Sequence, residues 1–182
     1  MADSNITKRA LGVALKELME EVPFKKISVA DICEKCDMNR KSFYYHFKDK
    51  YDLVNWIFDT EFIAMTKERQ DDDQWFFMEK MCRYFYDNRS FYYKVLQIQG
   101  QNSFGEHFRE FIHPLLRSRI EEIVGKKDLP DMCIDFFADG IVCAIMRWLL
   151  NKDCMKPEAF VGITRNLVQS TATFVYQDMT QQ

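Results

Sequence analysis

The sequence predicts an all-α fold of about nine helices, with a compact N-terminal trio ahead of a larger helical bundle. Three observations predict it. Glycine (6) and proline (4) are scarce in a chain of 182 residues, whereas sheet proteins with many tight turns draw heavily on both. Apolar residues recur at three- and four-residue steps, and no segment alternates with the period of two that a half-buried strand needs. The composition, 47% hydrophobic and 29% charged, lies near the globular average and excludes disordered and fibrous classes.

Each element can be justified in order. Leu11, Ala14, Leu15, Leu18, Met19 and Val22 lie on one helical face that ends before Pro23, giving the first helix. Ser28, with Asp31 three residues on, forms a capping signal for a short second helix whose apolar face is Val29, Ile32, Cys33 and Cys36. Cys36, Asp37 and Met38 break the pattern, and Asn39 caps a third helix over Arg40 to Phe47. Asp49 caps a fourth, through about Lys67. The acidic run at 71–73 is expected to cap a fifth helix, about Gln74 to Tyr86, because carboxylates there complement the helix dipole. A short helix follows near Phe91 to Gln99, and another opens near Phe104 and should bend or restart at Pro114. Residues 126–128 mark a connection; Pro130 then suits a first turn of a helix to about Asn151, and Pro157 starts the last, to about 178.

The longest apolar runs, such as Ile141 to Met146, fall far short of the roughly 20 residues a membrane span requires. Met1 to Thr7 is polar, with an acid at Asp3, which is the wrong chemistry for a secretory signal; a cytoplasmic protein with no membrane role is expected. Six cysteines, mostly within apolar helical patterns, read as free thiols. An enzyme is not expected. The glycines are scattered, so no phosphate-binding loop or dinucleotide fingerprint exists, and there is no nucleophile elbow. Cys33 and Cys36 lack a second thiol pair, and His107 and His113 are six apart, wrong for one helical face; neither metal nor cofactor is expected.

The formal net charge is -3, but seven bases against four acids between Val22 and Lys50 give that segment +3. Such an asymmetry can orient the segment toward a polyanion. Residues 28–47 also fit the helix-turn-helix template, in which the second short helix enters the major groove. Arg40, Lys41, Ser42, Tyr44, Tyr45 and His46 place donors and aromatics on nearly every outward position of that helix, while Phe43 and Phe47 turn inward. Hydroxyls, Lys and Arg reach phosphates, and Arg can also grip guanine bidentately.

The stretches Ile27-Ser28-Val29-Ala30-Asp31-Ile32 and Asn39 to Leu53 resemble the DNA-binding domain of the TetR family of transcriptional regulators. The family's pattern of an aromatic, any residue, His, Phe, two residues, Lys, two residues and Leu is met by Tyr44, His46, Phe47, Lys50 and Leu53. The run from Phe43 to Val54 is similar to the branch that regulates dihydroxyacetone kinase operons. Where many members carry a glycine in the turn, this chain has Asp37. The resemblance implies a TetR-type fold: residues 1–50 as the DNA-binding domain, a linking helix from residue 49, and residues 51–182 as a regulatory and dimerisation domain. It implies a homodimer on a palindromic operator in double-stranded DNA. By position, Tyr44, His46 and Lys50 would hold phosphates, and Arg40, Lys41, Ser42 and Tyr45 would face base edges, with Ser28 and Asn39 at the helix starts alongside them.

The second half is rich in aromatic residues, which build a core or line an apolar effector pocket; Tyr84, His107, His113 and Arg147 are the polar candidates for such a pocket. The last two long helices have wide apolar faces. Ile141, Ala144, Ile145, Trp148, Leu167 and Phe174 are the expected dimer contacts, with Gly140 permitting close approach. The competing reading is a helical co-regulator that senses its metabolite through a partner protein.

Overall fold

The computed structural model describes residues 2–63, 74–97, 104–125 and 129–180, and among them there are nine α-helices and no strand. They are α1 (Ala2–Glu21), α2 (Val29–Lys35), α3 (Arg40–His46), α4 (Lys50–Phe58), α5 (Gln74–Asp87), α6 (Arg89–Leu96), α7 (Phe104–Val124), α8 (Asp131–Leu150) and α9 (Pro157–Thr180). A 3-10 turn, Phe24–Lys26, separates α1 from α2, and a π-helical turn, Asp59–Ile63, continues α4. The acidic run at 71–73 and the connection at 126–128 lie outside the described residues. None of the described helices is long and apolar enough to cross a membrane.

The chain packs as two compact units, Met1–Glu68 with Asn88–Phe104, and Arg69–Asp87 with Gly105–Gln182. In the first unit, Leu11, Leu15 and Met19 of α1 are buried together with Ile32, Phe43, Leu53 and Ile57 from the next three helices. Gly12 lets α4 come close: a Cβ there would stand 3.3 Å from Ile57 Cγ1. Helix α6 joins this unit although α5 precedes it in the chain. Its Lys94 ammonium donates to the Met19 and Glu20 carbonyls, which the last turn of α1 leaves without helical partners. The Tyr92 ring packs 5.2 Å from that of Phe104, itself 5.3 Å from Phe58.

In the second unit, Phe108, Ile112, Leu116 and Ile120 give α7 a buried stripe at four-residue spacing. The helix runs unbroken through Pro114, where a bend or restart was expected. Pro114 and Glu110, whose carbonyl loses its partner, are both exposed, so water can take the freed acceptor. Ion pairs pin α7 to α8 in antiparallel order, Arg109 to Asp139 and Asp135 and Arg117 to Asp131, and the His113 imidazole lies 3.3 Å from Asp135. Trp148 of α8 stacks on Phe160 of α9 with ring centres 4.6 Å apart, and its indole Nε1 donates to the Met155 carbonyl at 2.8 Å. None of the six cysteines is in a disulfide, and burial pushes the Cys82 thiol up to about 12.

Candidate nucleic-acid interface

Local hydrogen bonds set the two short helices at residues 28–46. At the start of α2, the Ser28 hydroxyl oxygen accepts from the Asp31 N–H at 3.2 Å, while the Ser28 N–H donates to Asp31 Oδ2 at 2.7 Å, a complete capping box. Hydrogen bonds to the carboxyl from the Ser28 backbone N–H and then from its side chain hold Asp31 below the usual range. The helix closes on Asp37, whose φ of 54° is left-handed. The Asp37 N–H then reaches the Glu34 carbonyl and the Met38 N–H the Cys33 carbonyl. Aspartate can fill the place where glycine is common because its short polar side chain tolerates that conformation. Asn39 next caps α3, its Oδ1 accepting from the Ser42 N–H at 2.8 Å.

Phe43 and Phe47 anchor α3 to the core, with rings 5.7 Å apart. The opposite face is exposed: Arg40, Lys41, Tyr44 and Tyr45, the last 83% accessible. Ser42 and His46 are half-buried at its edges, and the His46 ring lies 4.8 Å from that of Tyr45. Ser28 and Asn39 are exposed, each engaged in its own cap. One face of one short helix thus presents two cations and two phenols to solvent, with a half-buried imidazole at its edge.

Lys50, expected at a phosphate, is engaged within the chain in this structure. Its ammonium donates to the carbonyls of Phe24 at 2.8 Å, Ile27 at 2.6 Å and Lys25 at 3.4 Å, and sits 4.5 Å from the centre of the Phe24 ring. All three N–H donors therefore have protein acceptors, which leaves none for a phosphate. Burial pulls its pKa below the usual lysine range, against an opposing pull from Asp31. The acceptors lie more than 20 residues away in sequence, so no local pattern could reveal them.

In the second unit the expected dimer and pocket residues fall in different surroundings. Ile141, Ile145 and Trp148 are buried within the single chain, and Ala144 is half-buried; only Leu167 (62% accessible) and Phe174 (70%) face solvent. Helix α8 carries two apolar stripes, and the outward one is Met132, Phe136 and Cys143. Gly140 lies on that exposed stripe with no atom near the place a Cβ would take, as does Gly162 on α9. Tyr84 is buried, His107 half-buried and Arg147 exposed, while the His113 imidazole lies 3.3 Å from Asp135. A cavity in this unit is lined instead by Trp75 and Phe77 of α5 and by Ile112 and Arg119 of α7. Arg119 had no signal in the sequence, being one charge among many on an amphipathic helix.

A capped helix-turn-helix with a cationic, phenolic outer face, carried ahead of a helical bundle, defines a transcriptional regulator of the helix-turn-helix class. Comparison with known proteins agrees. Residues 13–57 match the family described as bacterial regulatory proteins, tetR family, and residues 73–170 match a transcriptional regulator C-terminal region of the same family. The chain belongs to the TetR family of transcriptional regulators. A relative from Lactococcus lactis, the HTH-type dhaKLM operon transcriptional activator DhaS, is 32% identical over 109 residues; these are 59% of this chain and 57% of that protein. Among solved structures, a TetR regulator from Streptococcus agalactiae superposes with a TM-score of 0.72 at 22% identity, over 92% of this chain and 96% of that one. The dihydroxyacetone kinase operon activator DhaS superposes with a TM-score of 0.58 at 20% identity, over 93% and 97%. At these identities the structures share the fold.

Proposed function

We propose that the protein binds a palindromic operator as a cytoplasmic homodimer, through α3 of each subunit, and that an effector engaging the second unit governs this binding. The observation that carries the reading is the outer face of α3, where Arg40, Lys41, Tyr44 and Tyr45 stand exposed on a helix whose caps and buried phenylalanines fix its orientation. Arg40, Lys41, Ser42 and Tyr45 meet base edges. Tyr44 and His46 meet phosphates, and Ser28 and Asn39 hold the ends of the two helices beside the backbone. Lys50 acts indirectly, by tying the 3-10 turn before α2 to the start of α4. Residues 1–50 form the DNA-binding domain, and residues 51–182 serve regulation and dimerisation.

The dimer forms through the outward stripes of α8 and α9, where Met132, Phe136, Leu167 and Phe174 leave large apolar side chains in solvent. Gly140 and Gly162, open on the same surfaces, allow a second copy to come close. The 32% identity to a dhaKLM operon activator supports a regulator of that branch, so an operon of that kind is the first place to seek the operator. The decisive experiment is a gel shift of the full chain on its own upstream region and on dihydroxyacetone kinase promoters, beside scrambled duplexes. A saturable shift on one of the specific duplexes supports the reading; equal binding to scrambled DNA, or none at all, overturns it.

A further inference from the structure

We propose that Lys8 of α1 and Lys48, in the turn between α3 and α4, grip the DNA backbone at the far end of the recognition helix, in the role expected of Lys50. Their role depends on the operator reading above, whose interface they extend. Several lysines of the first unit are taken up within the chain. Lys16 pairs with Glu61 at 2.5 Å and Lys35 with Glu17 at 3.3 Å, while Lys50 and Lys94 donate to backbone carbonyls. Lys8 and Lys48 are not taken up: among the described residues neither ammonium has a hydrogen bond or an ion pair. The acids that follow Lys48 are turned to the backbone instead. Asp49 Oδ1 accepts from the Tyr51 and Asp52 N–H groups at 2.8 and 2.9 Å, and Asp52 Oδ2 from the Lys48 N–H at 3.0 Å.

Phe47 brings the two lysines together. Buried at the end of α3, its ring is 5.7 Å from those of both Phe43 and Trp56. The Lys8 ammonium lies 5.8 Å from the centre of that fixed ring, on a half-buried side chain that reaches from α1 to the end of α3. Lys48 is next in the chain and exposed, on a backbone held by Asp52. The His46 ring, assigned to a phosphate above, is 6.4 Å from that of Phe47. An imidazole and two unpaired ammonium groups therefore stand at one end of one helix. In a helix-turn-helix the first residues of the second helix read base edges. The far end of α3, seven residues and about 10 Å on, comes out where the backbone borders a major groove about 12 Å wide. Ammonium groups suit that border, because they bind phosphate as point charges with little demand on direction. A stem already ordered against Phe47 also loses less side-chain entropy when it engages.

The full chain and its Lys8→Gln and Lys48→Gln variants are titrated at stepped salt against the upstream duplex that shifts in the experiment above and against a scrambled duplex. Each variant should make the slope of log affinity against log salt shallower by about 0.9 per half-site. The loss should be the same on both duplexes, leaving the ratio of specific to scrambled affinity unchanged. Lys8→Arg and Lys48→Arg should keep the slope, and so should Lys152→Gln, which removes the same charge from the second unit. A lysine that only packs on Phe47 would change the melting temperature and leave the slope alone. An unchanged slope in either glutamine variant, or an equal loss in Lys152→Gln, overturns the proposal. Should Lys8→Gln fail to fold, Lys48→Gln, at an exposed position, decides. Specific binding with unaltered slopes defeats only this proposal, and equal binding to scrambled DNA with shallower slopes defeats only the operator reading. No binding to either duplex by the unaltered protein defeats both.

Discussion

Three backbone carbonyls hold the Lys50 ammonium, so Lys50→Met should act through stability. Removing the donor strands those acceptors and should cost about 1–2 kcal/mol, read as a lower midpoint in urea. The salt dependence of operator binding should stay the same, since no phosphate contact is lost; a slope reduced by about one would restore Lys50 to the phosphate set. Arg40→Ala belongs to the other category. It should cost roughly 1–3 kcal/mol on the operator and relax preference at one base pair per half-site, with an unchanged melting temperature. Asp31 supplies a pH test. Its carboxyl is held below its ordinary range by the bonds from Ser28, so its contribution is complete above that range and is lost as pH falls through the folded-state value. Asp31→Asn should therefore flatten the acid limb of the stability profile, as measured by thermal melts at stepped pH.

At the scale of the element, α8 and α9 each carry two faces, and substitutions on them should separate. Leu167→Glu and Phe174→Glu sit on exposed positions, so both should give folded monomers in sedimentation with nearly native helicity. Ile141→Glu places a charge at a position only 4% accessible, and should unfold the bundle instead of dissociating a dimer. Dimers surviving both exposed substitutions would move the interface off these stripes. The two-faced nature of α8 is why its sequence alone does not say which stripe a second copy would meet. Ile141, Ile145 and Trp148 are as apolar as Met132 and Phe136, and periodicity states that a face is apolar without stating which neighbour covers it. The short helices were more legible, because their caps are local chemistry. Ser28, Asp31, Asn39 and Asp49 each bond the backbone two or three residues away.

For the whole molecule, dimerisation as proposed would bring avidity. Two α3 helices tied through one interface should bind a full palindrome about 10²–10⁴-fold more tightly than a single half-site. Gel shifts on full and half operators check this, and equal affinity would show that each subunit binds alone. The charge distribution fits such a binder: a chain of net charge -3 carries its +3 segment at residues 22–50, the segment that includes α2 and α3. A uniformly basic surface would hold any polyanion, whereas a confined one favours docking through a single region.

The all-α class, the capping residues, the turn at Asp37 and the outward donors of α3 were determined by the sequence itself, because each depends on residues within one or two helical turns of one another. Three things awaited tertiary structure: the carbonyls that take up Lys50, the membership of α6 in the first unit through Lys94 and Tyr92, and the placing of the Lys8 ammonium over the Phe47 ring. Each joins groups distant along the chain, and a long side chain such as lysine or arginine reaches whichever acceptor the folded backbone brings near it. Local spacing encodes helices and their ends; the partner of a buried charge is set by packing.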